Sequence, residues 1–533
     1  MTNVPGQFTQ TKIAGEEILI YGTPDLDLLK KEIAGPGDLW HSGLLRGCDN
    51  LFHELVYATQ VYWFYLNDAD SSVRSVSWRV DSTAFAVRLS AWEALGGFDA
   101  AYSSDVARAL DLGFRLVRLG GIPLHVPALF PPLNERVTDK ASLQPEDKYL
   151  FFARHFKREY RLYVYVREAM KRRAPIKELA ALRQAEKLAR TMPAPKAHPV
   201  PSRPLRQLSN PGPKVSAIVP TLRRQSYTAN LLSDYVQQTV PLHEVIIVDA
   251  TPEDERDYKT YEQFSHSLPL QVIWQKSLGS CRARNDAIRQ STGDYILFAD
   301  DDTRVPPEFA ENHVRLLETY NAEASTGLDI RADHPEQSIE DLRNKLVQRG
   351  TKDRVGVAEN LNNANTLVRR LWVQRCVGND VNFDGGYGED RDFGQCLIEK
   401  GAIVLFNPYS ANLHLKPPLG GYRWWGEQAA KRGREKKRQP WEVHRQVRSI
   451  EPKPSPTIMY GFLKHYTPDQ VREWLYVYLL RSWWPTLAAP GESKTKRLLM
   501  LVPRILLTPF RLYRVWLSYQ FARDLLRIGP RFD

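Results

Sequence analysis

The chain has 533 residues, 43% hydrophobic and 25% charged, with a formal net charge of +11. These are globular proportions at a length suited to about two to four domains, and they exclude a disordered tail, a collagen-like chain and a coiled coil. Four cysteines (Cys48, Cys281, Cys376 and Cys396) form no CxxC pair. That excludes a disulfide scaffold, argues against a structural zinc site and leads us to expect a reduced, cytoplasmic setting.

The opening residues MTNVPGQFTQTKIAGEEILI lack a basic start followed by an apolar run, so no signal peptide is expected. No window of about 18 uncharged apolar residues occurs, so no transmembrane helix is expected either. The positive charge is placed late. Residues 431–448 hold eight Lys and Arg against Glu435 and Glu442, and residues 494–533 hold nine against Asp524 and Asp533.

In chain order, residues 83–127 run from an apolar strand through the turn Gly96-Gly97-Phe98-Asp99 and a helix to another apolar strand. Residues 193–213 (PAPKAHPVPSRPLRQLSNPGP) predict an extended linker, because proline fixes φ and restricts its neighbour. They divide an N-terminal region, 1–192, from a second region starting at Lys214. There the pattern alternates. Residues 215–220, 244–249, 270–274 and 295–299 read as buried strands, and 225–238 and 281–290 as helices. Such alternation predicts a mostly parallel sheet with right-handed crossovers, whose ligands sit at the carboxyl ends of the strands. Residues 366–408 then repeat the progression of 83–127, through Phe383-Asp384.

The acidic triplet Asp300-Asp301-Asp302 follows the fourth strand directly. Adjacent carboxylates at a buried strand end repel one another, and a divalent cation relieves that repulsion. The alternative is a solvated acidic turn or a helix cap. Glu389 and Asp390 follow turn glycines at the start of an apolar helical stretch and by themselves read as carboxylates that complement a helix dipole.

Taken together, VSAIVPT at 215–221, EVIIVDA at 244–250, GSCRARNDAIRQSTGDYILFADDDT at 279–303, FDGGYGEDRDFG at 383–394 and HLKPPLGG at 414–421 resemble a family 2 glycosyltransferase of the GT-A fold. The resemblance implies an α/β fold: a Rossmann-like, mostly parallel sheet flanked by helices, with a catalytic domain over 214–430. It implies that Asp300 and Asp302 hold Mn²⁺ or Mg²⁺, with His414 as a third ligand. Thr221, Asp249, Arg284, Asn285, Asp300 and Asp301 would bind the nucleotide sugar. Asp390 would be the base that activates the acceptor, with Glu389 beside it. One departure stands out: Ala250 follows Asp249 where the family carries a second acid. Lys416 and Arg423 could meet phosphates, and Trp372, Trp424 and Trp425 could stack on sugars; solvated charge and core packing are the competing readings.

Residues 1–192 resemble a degenerate acceptor half of the same fold, with Ser104-Asp105 where the acidic pair would fall and no DxD beyond Asp68-Ala69-Asp70 in a loop. Residues 431–533 form a basic, helical C-terminal region. A helix is expected within 467–484. The stretch 494–528 mixes Leu, Phe and Trp with Arg and is broken by Pro503 and Pro509. It reads as a segment lying on an anionic membrane surface or as a helical appendage packed on the catalytic domain. Nucleic acid is not an expected partner, for want of a recognition motif. The expected activity is inverting sugar transfer from a nucleotide-diphosphate donor to a lipid-linked or polysaccharide acceptor at the inner face of the plasma membrane. The alternatives are a sugar nucleotidyltransferase, or a non-catalytic basic membrane- or nucleic-acid-binding protein.

Overall fold

The computed structural model describes residues 8–49, 51–52, 67–131, 143–209, 211–350, 354–358, 360–422, 450–481 and 505–533, together with residues 495, 499, 502 and 503. Among the described residues, two mixed sheets organise the fold. The first contains β1 (Thr9–Ile13), β2 (Glu16–Tyr21), β3 (Leu39–His41), β4 (Ser75–Val76), β5 (Phe85–Arg88) and β6 (Pro123–His125), in the order β1-β2-β5-β3-β6-β4. Its helices are α1 (Leu26–Ile33), α2 (Leu89–Leu95), α3 (Asp105–Arg118), α4 (Pro145–His155), α5 (Arg158–Arg172) and α6 (Pro175–Thr191).

The second sheet contains β7 (Val215–Thr221), β8 (Glu244–Asp249), β9 (Leu270–Trp274), β10 (Tyr295–Ala299), β11 (Thr303–Arg304), β12 (Ala324–Arg331), β13 (Gly356–Val357), β14 (Asn365–Arg369) and β15 (Val404–His414). Its order is β11-β15-β12-β14-β10-β7-β8-β9, with β13 on β15. The helices are α7 (Gln225–Val236), α8 (Lys259–Glu262), α9 (Ser280–Gln290), α10 (Phe309–Tyr320), α11 (Ile339–Arg349), α12 (Arg370–Arg375) and α13 (Glu389–Glu399).

All four strands predicted between 215 and 299 form, and β10, β7, β8 and β9 are mutually parallel. Every residue of β7 and β10 is buried, as continuous apolar runs covered on both faces must be. Beyond β10 the sheet turns mixed: β14 runs antiparallel to both β10 and β12, whereas β12 and β15 are parallel.

The first sheet repeats this mixed half. β5 lies antiparallel to β3, β3 parallel to β6, and β4 antiparallel to β6; β14, β12, β15 and β13 pair in the same way. Val76 faces Leu124 as Val357 faces Leu405, within the matching texts GGIPLHVP (120–127) and GAIVLFNP (401–408). One apolar core, including Ile18, Trp40 and Leu124 from the first sheet and Val219, Leu297 and Leu405 from the second, joins the two.

The described residues of the proline-rich stretch form no helix or strand, and they are tied to the domains on either side. The Val200 N–H donates to Leu119 O and the His198 N–H to Ala94 O, while Arg203 reaches the carbonyls of Gly35 and Gly37. Its Leu205 and Leu208 pack on the shared core.

Among the described residues the C-terminal helices are α14 (Pro456–His465), α15 (Pro468–Arg481) and α16 (Thr508–Ile528). Pro509 sits in the first turn of α16, where its missing N–H costs nothing. Val515, Ala522 and Leu525 of α16 pack against Met459, Tyr460 and Phe462 of α14. Among the described residues no helix is long and apolar enough to cross a membrane. The basic stretch 431–448, with Arg423, Trp424 and Trp425, lies outside the described residues.

Candidate active site

The acidic triplet leaves β10 and turns straight into β11, which pairs with β15 so that Thr303 faces His414. The Leu415 N–H donates to Asp302 O, closing the same turn. Topology thus delivers His414, more than a hundred residues downstream, onto the triplet. Its Nε2 lies 3.1 Å from Asp302 Oδ1 and 3.8 Å from Asp300 Oδ2, and one ligand atom from each of Asp300, Asp302 and His414 falls within 4.8 Å of the others. Two carboxylates and an imidazole suit a hard or borderline divalent ion such as Mg²⁺ or Mn²⁺, so the donor set fits the expected metal.

Two further groups shape that corner. Asp329 of β12 contacts His414 Nδ1 at 3.1 and 3.2 Å and is itself fixed by Asn412 Nδ2 at 2.7 Å. Lys416, on a backbone with φ of +53°, brings Nζ to 2.6 Å from His414 Nε2. Asp301 turns the other way. Its carboxylate accepts from Thr221 Oγ1 at 2.7 Å and pairs with Arg224 at 3.1 Å, while Arg224 also reaches Asp302 at 2.9 Å. Burial raises the Asp301 carboxyl to about 6 despite Arg224.

Glu389 and Asp390 open α13 across a cavity of about 430 Å³ from the triplet. Gly388 precedes them at φ +102°, a conformation natural to glycine. Burial first, then the neighbouring Glu389 carboxylate, push the Asp390 carboxyl up to about 8. Arg284 from α9 bridges the two sides: Nη2 donates to Asp300 Oδ1 at 3.0 Å. Its Nε and Nη1, together with Asp390 Oδ1 and both amide atoms of Asn363, are buried without a hydrogen-bond partner. Buried polar atoms are almost always satisfied, so the orphans of Arg284 and Asp390, which both line the cavity, mark a place built for a polar ligand.

Residues 216–365 match the family model for glycosyl transferase family 2. This segment is a family 2 glycosyltransferase domain. Over 105 residues the chain is 37% identical to an uncharacterised glycosyltransferase of Haemophilus influenzae, covering 20% of this chain and 34% of that protein. Over 114 residues it is 28% identical to the poly(ribitol-phosphate) beta-N-acetylglucosaminyltransferase TarS of Staphylococcus aureus, covering 21% and 20%. The chain therefore spans about a third or less of these relatives' own lengths. Among solved structures, the mannosyltransferase PcManGT of Pyrobaculum calidifontis, in complex with GDP-Man and Mn²⁺, aligns at a TM-score of 0.34 with 18% identity, over 60% of this chain and 87% of that one.

The structure places the expected residues unequally. Arg284, Asp300, Asp301, Asp302, Glu389, Asp390 and His414 line one cavity. Thr221 lies beneath it, holding Asp301. Asp249 is fully buried at the end of β8, accepting from Tyr261 Oη at 2.7 Å and Gln225 Nε2 at 3.2 Å, and it does not line the cavity. Asn285 does not line it either. Its amide bridges backbone, accepting from the Asn379 N–H and donating to the carbonyls of Asn379 and Phe532. Trp372 packs in the core beneath Arg375, away from the cavity.

Asp329, Arg224 and Asp384 were not anticipated. Asp384 Oδ1 accepts from the Cys281 N–H at 2.7 Å and caps α9 from outside, and a Cβ on Gly279 would fall 2.1 Å from its other oxygen. The repeated Phe-Asp of Phe98-Asp99 and Phe383-Asp384 was a signal for such a residue; for Asp329 the sequence held none.

The first sheet's copy of this site is filled. Asp147 of α4 accepts from the N–H and Oγ of both Ser103 and Ser104, at the start of α3 where Glu389 and Asp390 stand in the second sheet. Asp68 is paired with Arg79, and Asp70 holds the Ser72 turn.

Proposed function

We propose that this chain is a metal-dependent, inverting glycosyltransferase that moves a sugar from a nucleotide-diphosphate donor to a hydroxyl of a lipid-linked or polysaccharide acceptor. The observation that carries this reading is the placement of Asp390 across a single cavity from Asp300, Asp302 and His414. Those three residues would hold Mg²⁺ or Mn²⁺. A cation bound there supplies positive charge to the phosphates as the leaving group departs. Arg224 neutralises the remaining acids, and Lys416 stands beside the same corner. Arg284 offers two unpartnered N–H groups to the donor. Burial raises the Asp390 carboxyl, so its deprotonated form has a high proton affinity and takes the proton of the attacking hydroxyl. One base acting on the face opposite the leaving group gives inversion at the anomeric carbon.

The test is to incubate purified protein with Mn²⁺ and a panel of nucleotide sugars. Release of nucleoside diphosphate, with an inverted anomer by NMR, is the expected result. Release of pyrophosphate would indicate a nucleotidyltransferase instead, and neither product would refute both.

The reading extends to location at an anionic membrane surface. Leu506, just before α16, and Phe510, Leu512, Tyr513 and Trp516, in its first half, are exposed in a segment rich in arginine. Apolar and aromatic side chains interleaved with basic charge suit the interface of an anionic bilayer. The full chain should sediment with vesicles containing phosphatidylglycerol and less so in high salt; a chain that stays in the supernatant would refute this location.

A further inference from the structure

Gly529, at φ +81°, ends α16 and turns the following residues back across the family 2 domain. They bond to two segments that both lead to the site. The Val381 N–H donates to Arg531 O at 2.8 Å, and the Arg531 N–H donates to Asp380 Oδ1 at 3.1 Å. Arg531 Nε donates to Asn382 Oδ1 at 3.1 Å, and Asn382 Nδ2 donates to Gly529 O at 2.8 Å. Phe532 O accepts from Asn285 Nδ2 at 3.1 Å and from Arg289 Nη1 at 3.2 Å. Residues 529–532 therefore join α9 to the segment 379–384.

Both joined segments carry working groups. α9 holds Arg284 against Asp300. The segment 379–384 ends in Asp384, the cap of α9, and runs through Gly385 and Gly386 of the cavity wall to Glu389 and Asp390. Asp380 and Asn382 are buried beneath the half-buried residues 529, 531 and 532, and Asn382 has both amide atoms committed to residues 529 and 531. Removing residues 529–532 takes Arg531 O from the Val381 N–H and Arg531 Nε from Asn382 Oδ1, so the two segments lose the groups that tie them together. Asp380 is further held by Tyr460 Oη at 2.7 Å and Lys464 Nζ at 3.2 Å, so the clasp is continuous with α14.

We infer that residues 529–532 are a positioning strap that fixes Glu389 and Asp390 relative to Arg284 and the acidic triplet. None of the four touches the cavity; they act through Asn285, Asp380 and Asn382. This also explains what Asn285 does: it ties α9 to the strap and to Asn379. The kinetic part of this inference rests on the transferase reading above.

The experiment compares the full chain, a chain ending at Ile528 and the variant Arg531→Ala. In the shortened chain, kcat should fall at least tenfold while the donor KM changes less than threefold, because Asp300, Asp302 and His414 are not held by the strap. Arg531→Ala should fall between. Acetylated Gly-Pro-Arg-Phe-Asp peptide added at millimolar concentration should restore part of the lost kcat. Hydrogen exchange should accelerate within 379–384 in the shortened chain, which reads the clasp whether or not any donor turns over. Unchanged kcat beside an active full chain, a loss that the peptide does not restore, or unchanged exchange at 379–384 would each overturn the strap. A full chain inert toward every donor would instead refute the transferase reading, and exchange would then decide the strap.

Discussion

Replacing Asp329 tests the metal corner most directly, because Asp329 does not itself join the three-residue donor set. Its carboxylate holds His414 Nδ1 at 3.1 and 3.2 Å, and Asn412 Nδ2 holds the carboxylate at 2.7 Å. With Nδ1–H donating to Asp329, the Nε2 lone pair is left facing Asp300 and Asp302. Removing such a carboxylate from behind a metal-binding histidine costs about 10–100-fold in affinity, or about 1.4–2.7 kcal/mol. Asp329→Ala frees the ring to rotate and loses the charge, so it belongs near the upper figure. Asp329→Asn keeps one acceptor oxygen, which must serve both Nδ1–H and the Asn412 amide, so about tenfold is expected. The side chain is only 25% exposed, and screening by water does not erase the effect. Titrating Mn²⁺ into donor-free protein by calorimetry gives the affinities, with thermal unfolding as a control for folding. An Asp329→Ala chain that is folded and binds Mn²⁺ within twofold of the parent would refute the orienting role.

Asp390→Asn should lower transfer about 10²–10⁴-fold while donor binding persists; loss of donor binding would assign Asp390 elsewhere. Because burial and Glu389 raise the Asp390 carboxyl to about 8, and a base works only when deprotonated, kcat should climb with pH and level off above that value. The same shift means that between about pH 4 and 8 the folded chain holds a proton the unfolded chain has released, so this residue's contribution to stability falls as pH rises through that window. Lys416→Ala should tighten Mn²⁺ binding, since it removes an ammonium 2.6 Å from the nitrogen the ion would use; weaker binding in the variant would show that Lys416 supports the ion instead. Gly279→Ala should destabilise the fold by about 1–3 kcal/mol, seen as a lower Tm, because the new methyl would meet the buried Asp384 carboxylate.

The parallel half of the second sheet and its acidic triplet were legible in the sequence for a local reason. A buried strand needs a continuous apolar run, and the polar residues that follow such a run must lie at the sheet's carboxyl edge. The same logic found Glu389 and Asp390 at a helix start after turn glycines. Partnerships across the chain were not legible in any local pattern; the family resemblance alone implied His414 beside the triplet, and nothing implied Asp329. His414 reaches Asp302 only because β11 pairs with β15, and Asp329 reaches His414 only because β12 lies beside β15. Strand order is set by packing two layers, and no window of residues encodes it. Packing also moved Asn285 from an expected nucleotide contact to a clasp on Phe532, and turned the proline-rich stretch from a spacer into a seam over the shared core. The residue types fixed which chemistry was possible; the tertiary structure decided which of those residues share a cavity, because burial and hydrogen-bond satisfaction are properties of neighbours brought together from distant parts of the chain.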